Sequence, residues 1–262
     1  MDFKNKVIWI TGASSGLGEA MAHQFNALGA KLILSARKTE ELKRVQAAFS
    51  APDTPSVILP LDLRQYQDFP KLAEQARQFF GKIDILVNNG GVSQRSLALD
   101  TPFEEDLKIL ETDLVGTIAL TKAALSQIVE QRGQIVVISS VMGKVNTKYR
   151  TTYAAAKHGV VGYFESLRLE LEDLGVNVCN ILPGFIATSI TKNAVGATED
   201  VIKNSQNNLG MSAEAFAEKA VKAIFERRGN VYIGGFKEKS AMLLKRLSPS
   251  LFDYFIKNQK VT

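Results

Sequence analysis

Thr11-Gly12-Ala13-Ser14-Ser15-Gly16-Leu17-Gly18 follows the apolar run Val7–Thr11 and leads into Gly18–Leu28, where apolar residues recur at helical spacing. A glycine-rich turn between a strand and a helix lets the backbone come close to a pyrophosphate. The helix N-terminus then offers it free N–H groups and the positive end of the helix dipole. The spacing is G-x-x-x-G-x-G rather than G-x-G-x-x-G, and the lesser alternative is a plain βα connection that needs positive φ.

Outward from this turn the chain keeps one rhythm. Strand-like runs fall at Val7–Thr11, Lys31–Ala36, Val57–Leu61, Ile83–Asn88, Gln134–Ser139, Val176–Leu182 and Asn230–Gly234. Most are unbroken Val/Ile/Leu stretches, the pattern of strands covered on both faces. Between them lie helical patterns at Glu40–Phe49, Lys71–Phe80, Phe103–Glu130, Ala154–Leu174 and Ala213–Arg227. Alternation of this kind predicts an α/β fold, a parallel sheet with right-handed crossovers and helices on both faces. One domain is expected over residues 1–235. A long polar connection at 183–210 reads as a substrate lid, and residues 236–262 stand apart as a basic extension.

Composition narrows the class. The 262 residues are 45% apolar and 23% charged, a globular balance that excludes disordered, collagen-like and coiled-coil chains. Cys179 is the only cysteine, so there is no internal disulfide framework, and no Cys/His cluster has zinc-site spacing. No apolar run approaches the roughly 18 residues of a membrane span. Met1–Lys6 runs straight into the first strand and does not read as a signal peptide. A reducing, cytoplasmic setting is the expectation. Of the net charge of +5, residues 236–262 carry +4 and the first 235 residues only +1. A body so close to neutral lacks the basic footprint of a nucleic-acid binder.

Further residues suit a dinucleotide. An acid at the end of the second strand would bind a ribose 2′-hydroxyl, but the sequence there is Leu34-Ser35-Ala36-Arg37-Lys38. An arginine in that place can grip a 2′-phosphate with a forked contact, which favours NADP(H) over NAD(H). Asp62 and Leu63 follow the third strand, and Asp62 can accept a hydrogen bond from an adenine amino group. Asn88-Asn89-Gly90-Gly91 follows the fourth, with small residues where a backbone passes under a nucleotide.

The chemistry sits further along. The fifth strand ends in Ile138-Ser139-Ser140, and Tyr153-Ala154-Ala155-Ala156-Lys157 opens the next helical stretch. Residues four apart share a helix face. A phenol beside an ammonium ion loses its proton more readily, which fits it for general acid–base work near neutral pH. Taken alone, such a pair is also an ordinary surface pattern; its position at the sheet edge that carries the glycine turn gives it weight.

In combination, Thr11–Gly18, Asn88–Gly91, Ser140, Tyr153-x-x-x-Lys157 and Pro183-Gly184 resemble the short-chain dehydrogenase/reductase family over about residues 3–235. The resemblance implies a seven-stranded Rossmann-type doubly wound sheet, a nicotinamide dinucleotide and reversible hydride transfer between a ketone and an alcohol. It implies that Ser140 holds the substrate oxygen, Tyr153 exchanges its proton, and Lys157 tunes Tyr153 and binds the nicotinamide ribose. It further implies that Gly12, Ser14, Ser15, Gly16, Leu17 and Gly18 lie along the pyrophosphate and ribose, and that Arg37 and Lys38 meet a 2′-phosphate. Asn89 and Gly90 fall on the adenosine side, and Ile186 and Thr188 near the carboxamide beyond Pro183 and Gly184. Members of the family are commonly dimers or tetramers.

Two departures stand out. Gly90 replaces the family's usual alanine. Asp113, in Glu111-Thr112-Asp113-Leu114-Val115-Gly116, replaces an asparagine that kinks the helix and whose main-chain carbonyl holds a water linked to the lysine. A carboxylate there would pair with Lys157, raise its pKa and weaken its help to Tyr153. Rival readings are a 3-oxoacyl-carrier-protein reductase and a catalytically weak NADP(H)-binding regulatory protein.

Other residues carry less. His158, His23 and Cys179 read as structural. Tyr149, Met142 and Val145 suit either a pocket lining or loop packing, as do Ile186, Ile190, Val195, Val201 and Ile202. In the extension, Ser248-Pro249 reads as a helix start, with Leu251, Phe252, Phe255 and Ile256 as one apolar stripe and Leu243, Leu244 and Leu247 as a shorter one. With Lys245 and Arg246 beside it, this extension could lie on an anionic membrane, or it could cover the substrate site or meet a second subunit.

Overall fold

The computed structural model describes residues 1–188, 190, 194–196 and 210–257. Its centre is a sheet of seven strands: β1 (Val7–Thr11), β2 (Lys31–Ser35), β3 (Ser56–Ile58), β4 (Ile85–Asn88), β5 (Gln134–Ile138), β6 (Asn177–Pro183) and β9 (Asn230–Ile233). The order is β3-β2-β1-β4-β5-β6-β9 and every pairing is parallel. Ile8 faces Leu32 on one side and Ile85 on the other. The chain therefore winds outward from β1 through β2 to β3, then returns to start again at β4. That reversal opens a crevice between the carboxyl ends of β1 and β4, where such sheets bind ligands. A second pair, β7 (Ile186–Ala187) with β8 (Met211–Ser212), lies beyond β6 and was not legible as strand in the sequence.

The helices cover both faces. On one, α1 (Gly16–Ala27) and α7 (Ala213–Phe225) press Met21, Phe25, Phe216 and Val221 onto Ile8, Ile10 and Leu32. On the other, α3 (Phe69–Phe80), α5 (Gly116–Glu130) and α6 (Thr151–Leu171) bring Phe69, Leu120 and Phe164 against Trp9, Leu86 and Val137. Each such aromatic or aliphatic side chain contributes about 1.5–3 kcal/mol on burial. Trp9 is fully buried without an orphan donor: its Nε1–H donates to Ser35 Oγ at 2.8 Å, and Ser35 in turn donates to the Leu59 carbonyl at 2.6 Å. A short α2 (Thr39–Ala47) follows β2.

Two elements differ from the sequence expectation. The β3 strand proper ends at Ile58, although Leu59 and Leu61 N–H still donate to Leu34 and Ala36 carbonyls at 2.9 and 3.2 Å. Pro60 lacks the donor that would continue a regular ladder. The expected single helix 103–130 is interrupted: α4 (Phe103–Leu110) passes through a π turn at Glu111–Val115 before α5 begins. A π turn inserts an extra residue into the helix ladder and often marks a functional site.

The C-terminal extension folds as α8 (Phe236–Leu247) and α9 (Pro249–Lys257), the latter starting at the expected proline. Phe252 is buried against Val141 and Val145, with Leu244 and Ile256 packed beside it. The apolar stripe is thus divided. Phe252 and Ile256 face the body, whereas Leu251 and Phe255 remain 46% and 54% exposed. The apolar run is wider than the strip of body that α9 covers.

Candidate active site

The glycine turn takes the backbone shape its composition allows. Gly12 and Gly16 have φ of +65° and +57°, a region costly for residues with a Cβ. Gly18 lies so close to the Gly12 carbonyl that a side chain there would overlap it. Asn89 locks the turn, its Nδ2 donating to the Thr11 and Gly12 carbonyls at 3.0 and 3.2 Å, while Thr11 Oγ1 accepts the N–H groups of Asn89 and Gly90 at 3.0 Å each. Asn89 therefore braces the cleft as well as lying beside it. The Gly90 departure has a local reason: a Cβ there would stand 2.7 Å from Leu63 Cδ1, which would have to swing away.

Ser15 is the N-cap of α1, yet its side chain accepts no helix N–H. The first turn keeps donors that an anion could use. Ser14 is held from outside, its carbonyl accepting Arg44 Nη2 at 3.2 Å, with Arg44 also gripping Glu19 and Glu41. Across the cleft, Thr188 Cβ stands 3.5 Å from where a Gly16 Cβ would be. Leu17 is partly exposed beside the same turn. Pro183 ends β6, Gly184 N–H donates to the Ile233 carbonyl at 2.8 Å, and Ile186 pairs with Met211. The loop is braced by the extension: Phe185 N–H donates to Glu238 Oε1 at 3.0 Å.

At the other end, Arg37 and Lys38 are exposed and make no side-chain hydrogen bond or ion pair among the described residues. Arg37 borders a cleft of about 500 Å³ that Leu61, Asp62 and Gln65 also line. Asp62 Oδ1 accepts the Arg64 N–H at 3.0 Å, and Leu63 is buried. Uncapped helix donors and a glycine turn fit a dinucleotide phosphate chain, and Arg37 beyond β2 is left with an unpaired guanidinium among the described residues.

The α6 helix presents Tyr153 and Lys157, both buried, with Lys157 Nζ 5.6 Å from the centre of the tyrosine ring. Ser140 ends the β5 edge and accepts the Met142 N–H at 3.1 Å. Met142 also packs in the small apolar cluster that holds Tyr153 with Ile109, Val92 and Val195. The π turn delivers Asp113, whose Oδ1 accepts the Val92 N–H at 2.7 Å and whose Oδ2 lies 3.1 Å from Lys157 Nζ. Burial pulls the Lys157 pKa down, but the charges of Asp113 and Tyr153 outweigh it and leave it raised. Burial raises the Asp113 carboxyl, with Lys157 opposing. The pair is read as ionised, because Asp113 accepts an N–H on one oxygen and faces an ammonium with the other.

Several contributors escaped the sequence reading. Gln94, fully buried, accepts the Thr152 and Tyr153 N–H groups at 3.0 and 3.2 Å and so caps α6 from another loop. Val195 of the lid region pairs with the same loop: Arg95 N–H donates to the Val195 carbonyl, and Val195 N–H to that of Ser93, both at 2.8 Å. Arg150 lies over the Tyr153 ring, and Arg95 follows Gln94 in the loop to which Arg150 is bonded through Ser93. The only early signal is that Ser93-Gln94-Arg95 follows the small and apolar Gly90-Gly91-Val92 at the sheet's carboxyl edge; Arg150 sits among the polar residues Lys148, Tyr149, Thr151 and Thr152 and carries none.

Other expectations resolve simply. Met142 reaches the Tyr153 cluster, whereas Val145 is covered by Phe252. Tyr149 is 39% exposed with φ of +67°. His158 Nδ1 lies 2.9 Å from the Ala154 carbonyl one helical turn back. His23 Nε2 is 4.0 Å from Glu19. Cys179 is fully buried and its thiol is pushed up to about 12 by burial. Val201, Ile202 and most of the lid lie outside the described residues.

Comparison with known proteins agrees with this geometry. The chain is 36% identical over 263 residues to a "Dehydrogenase/reductase SDR family protein 7-like" of Drosophila melanogaster, covering 98% of this chain and 81% of the fly protein. Levodione reductase superposes with a TM-score of 0.82 at 28% identity, over 91% of this chain and 99% of that one. A Burkholderia phymatum short-chain dehydrogenase/reductase in complex with NAD superposes with a TM-score of 0.85 over 100% and 99% of the two chains, its 23% identity showing the fold alone. The short chain dehydrogenase family pattern matches residues 6–199, and the chain belongs to that family.

Proposed function

We propose that this protein is an NADP-dependent oxidoreductase that interconverts a ketone and an alcohol on a small, moderately hydrophobic substrate. The observation that carries the reading is Tyr153 buried beside Lys157 at the sheet edge that also bears the glycine turn. The nicotinamide dinucleotide, when bound, supplies or accepts the hydride. In reduction, Tyr153 gives its phenolic proton to the carbonyl oxygen; in oxidation it takes the alcohol proton. Ser140 holds the same oxygen in place. Lys157 keeps positive charge beside the tyrosine and would hold the ribose hydroxyls, with Asp113 moderating that charge. Arg37 and Lys38 would hold the 2′-phosphate, and Gly12 to Gly18 the pyrophosphate.

Tyr153→Phe should lower turnover by about 10²–10⁴-fold, read as NADPH oxidation against a panel of ketones and aldehydes. Titration with both cofactors should give tighter binding of NADPH than NADH, with Arg37→Ala bringing the two together; equal affinities in the unaltered protein would remove Arg37 from this role. Tight NADPH binding with no carbonyl turned over would favour the regulatory reading instead. Turnover confined to acyl-carrier-linked substrates would favour the 3-oxoacyl reductase. The proposal extends to location, as a cytoplasmic homo-oligomer whose extension rests on anionic membranes; the exposed apolar side chains of α8 and α9 support that contact.

A further inference from the structure

Arg95 is only 6% exposed, and its side chain makes no hydrogen bond or ion pair among the described residues, with Nε a buried donor lacking an acceptor. A buried, unpaired guanidinium is costly and is seldom kept without a partner. Arg150 stands close by, with its guanidinium carbon 5.5 Å from the centre of the Tyr153 ring and Nη1 donating to Ser93 Oγ at 2.9 Å. No carboxylate pairs with either among the described residues. Asp106 is bonded to the Thr152 hydroxyl and Asp113 faces Lys157. Burial first, then the like charge of Arg150, brings the Arg95 pKa down to about 10, whereas an ionised Tyr153 works the other way. Arg95 directly follows Gln94, which accepts the Tyr153 N–H, and its own N–H donates to the carbonyl of Val195, which packs in the Tyr153 cluster.

We infer that the substrate carries an oxyanion group, a carboxylate, phosphate or sulfate, which Arg95 binds with Arg150 beside it. A guanidinium fork matches such groups in shape and charge. Val92, Leu110, Met142 and Val195 supply an apolar wall around Tyr153. The ligand chemistry is therefore an apolar body with one anionic end, its carbonyl presented to Tyr153 while the oxyanion meets the arginines. This inference rests on the proposed carbonyl reductase activity and names its substrate class.

The test compares a panel of apolar oxo acids with their methyl esters as substrates, using the full chain with NADPH. The unaltered protein should favour acids in kcat/KM by at least about tenfold, as charge-assisted hydrogen bonds predict. Arg95→Gln should erase most of that preference and Arg95→Lys should keep part of it. Equal use of acid and ester, or an equal loss on both in Arg95→Gln, would overturn the inference; the latter would mark Arg95 as acting through Tyr153 alone. Calorimetry with octanoate, octanol, inorganic phosphate and sulfate on NADP-loaded protein reads the site without turnover. Octanoate binding that weakens in Arg95→Gln supports a carboxylate, and binding of phosphate or sulfate that weakens likewise supports that anion. No anion binding, or binding indifferent to Arg95, overturns the inference even where the redox reading holds, and anion binding without any turnover overturns only the redox reading.

Discussion

Arg95 places a cost on the fold that can be measured. Burial, with the like charge of Arg150, brings its pKa down to about 10, so at neutral pH it is charged in both folded and unfolded chains, and the folded form bears the penalty in full. The penalty is relieved only as pH climbs through about 10 and on towards the ordinary arginine range. Arg95→Met, which removes the charge and keeps much of the volume, should therefore stabilise the ligand-free protein by about 1–3 kcal/mol at neutral pH, measured by urea denaturation. A loss of stability would mean that the guanidinium has a partner in solution. Asp113 makes a second residue-level case. Asn at this position keeps the acceptor for the Val92 N–H but removes the charge facing Lys157. The ammonium charge beside Tyr153 then goes uncancelled, so Asp113→Asn should raise kcat/KM for alcohol oxidation at neutral pH. An unchanged kcat/KM would reduce Asp113 to a brace for the loop at Val92. Asp113→Ala, losing the Val92 bond as well, should also destabilise by about 1–3 kcal/mol.

At the scale of elements, what could be read beforehand was what local chemistry announces. The turn from Thr11 to Gly18 declares itself because only glycine tolerates its positive φ and its closeness to the Gly12 carbonyl. Tyr153 and Lys157, one helical turn apart, gain their meaning from their place at the sheet edge that carries the glycine turn, and Asp113 stands out only against the family resemblance, which puts an amide there. The π turn at Glu111–Val115, the Gln94 cap on α6 and the Glu238 brace on Phe185 depend on residues brought together from elsewhere in the chain. No periodicity encodes them. The extension shows the same limit: one apolar stripe in sequence becomes an inward pair, Phe252 and Ile256, and an outward pair, Leu251 and Phe255. Because α8 and α9 dock on the body chiefly through this strip, Phe252→Ala should free them locally rather than unfold the protein. Trypsin cleavage at Lys245 and Arg246 should accelerate by about tenfold or more while the main melting transition stays in place. A matching fall in the main transition would show the extension to be part of the cooperative core.

For the molecule as a whole, charge and apolar exposure gather at one end of the chain. Residues 236–262 carry +4 of the net +5. Phe236, Leu243, Leu247 and Phe255 are 84%, 57%, 73% and 54% exposed. Among the described residues no helix is long and apolar enough to cross a membrane, so the contact proposed for this end is with a surface. Basic residues near an anionic leaflet contribute about 1 kcal/mol each and lose it over a Debye length, whereas the apolar side chains contribute by area and are indifferent to salt. The two contributions separate in a flotation experiment. The protein should rise with vesicles containing phosphatidylserine and stay down with pure phosphatidylcholine, and about 0.5 M salt should weaken the binding. Leu247→Glu with Phe255→Glu should abolish it, because both side chains face outward and the Phe252 anchor is untouched. Flotation that ignores lipid charge, or that survives both substitutions, would count against the membrane contact and leave these side chains to a second copy of the chain, which sedimentation of the same variants would detect.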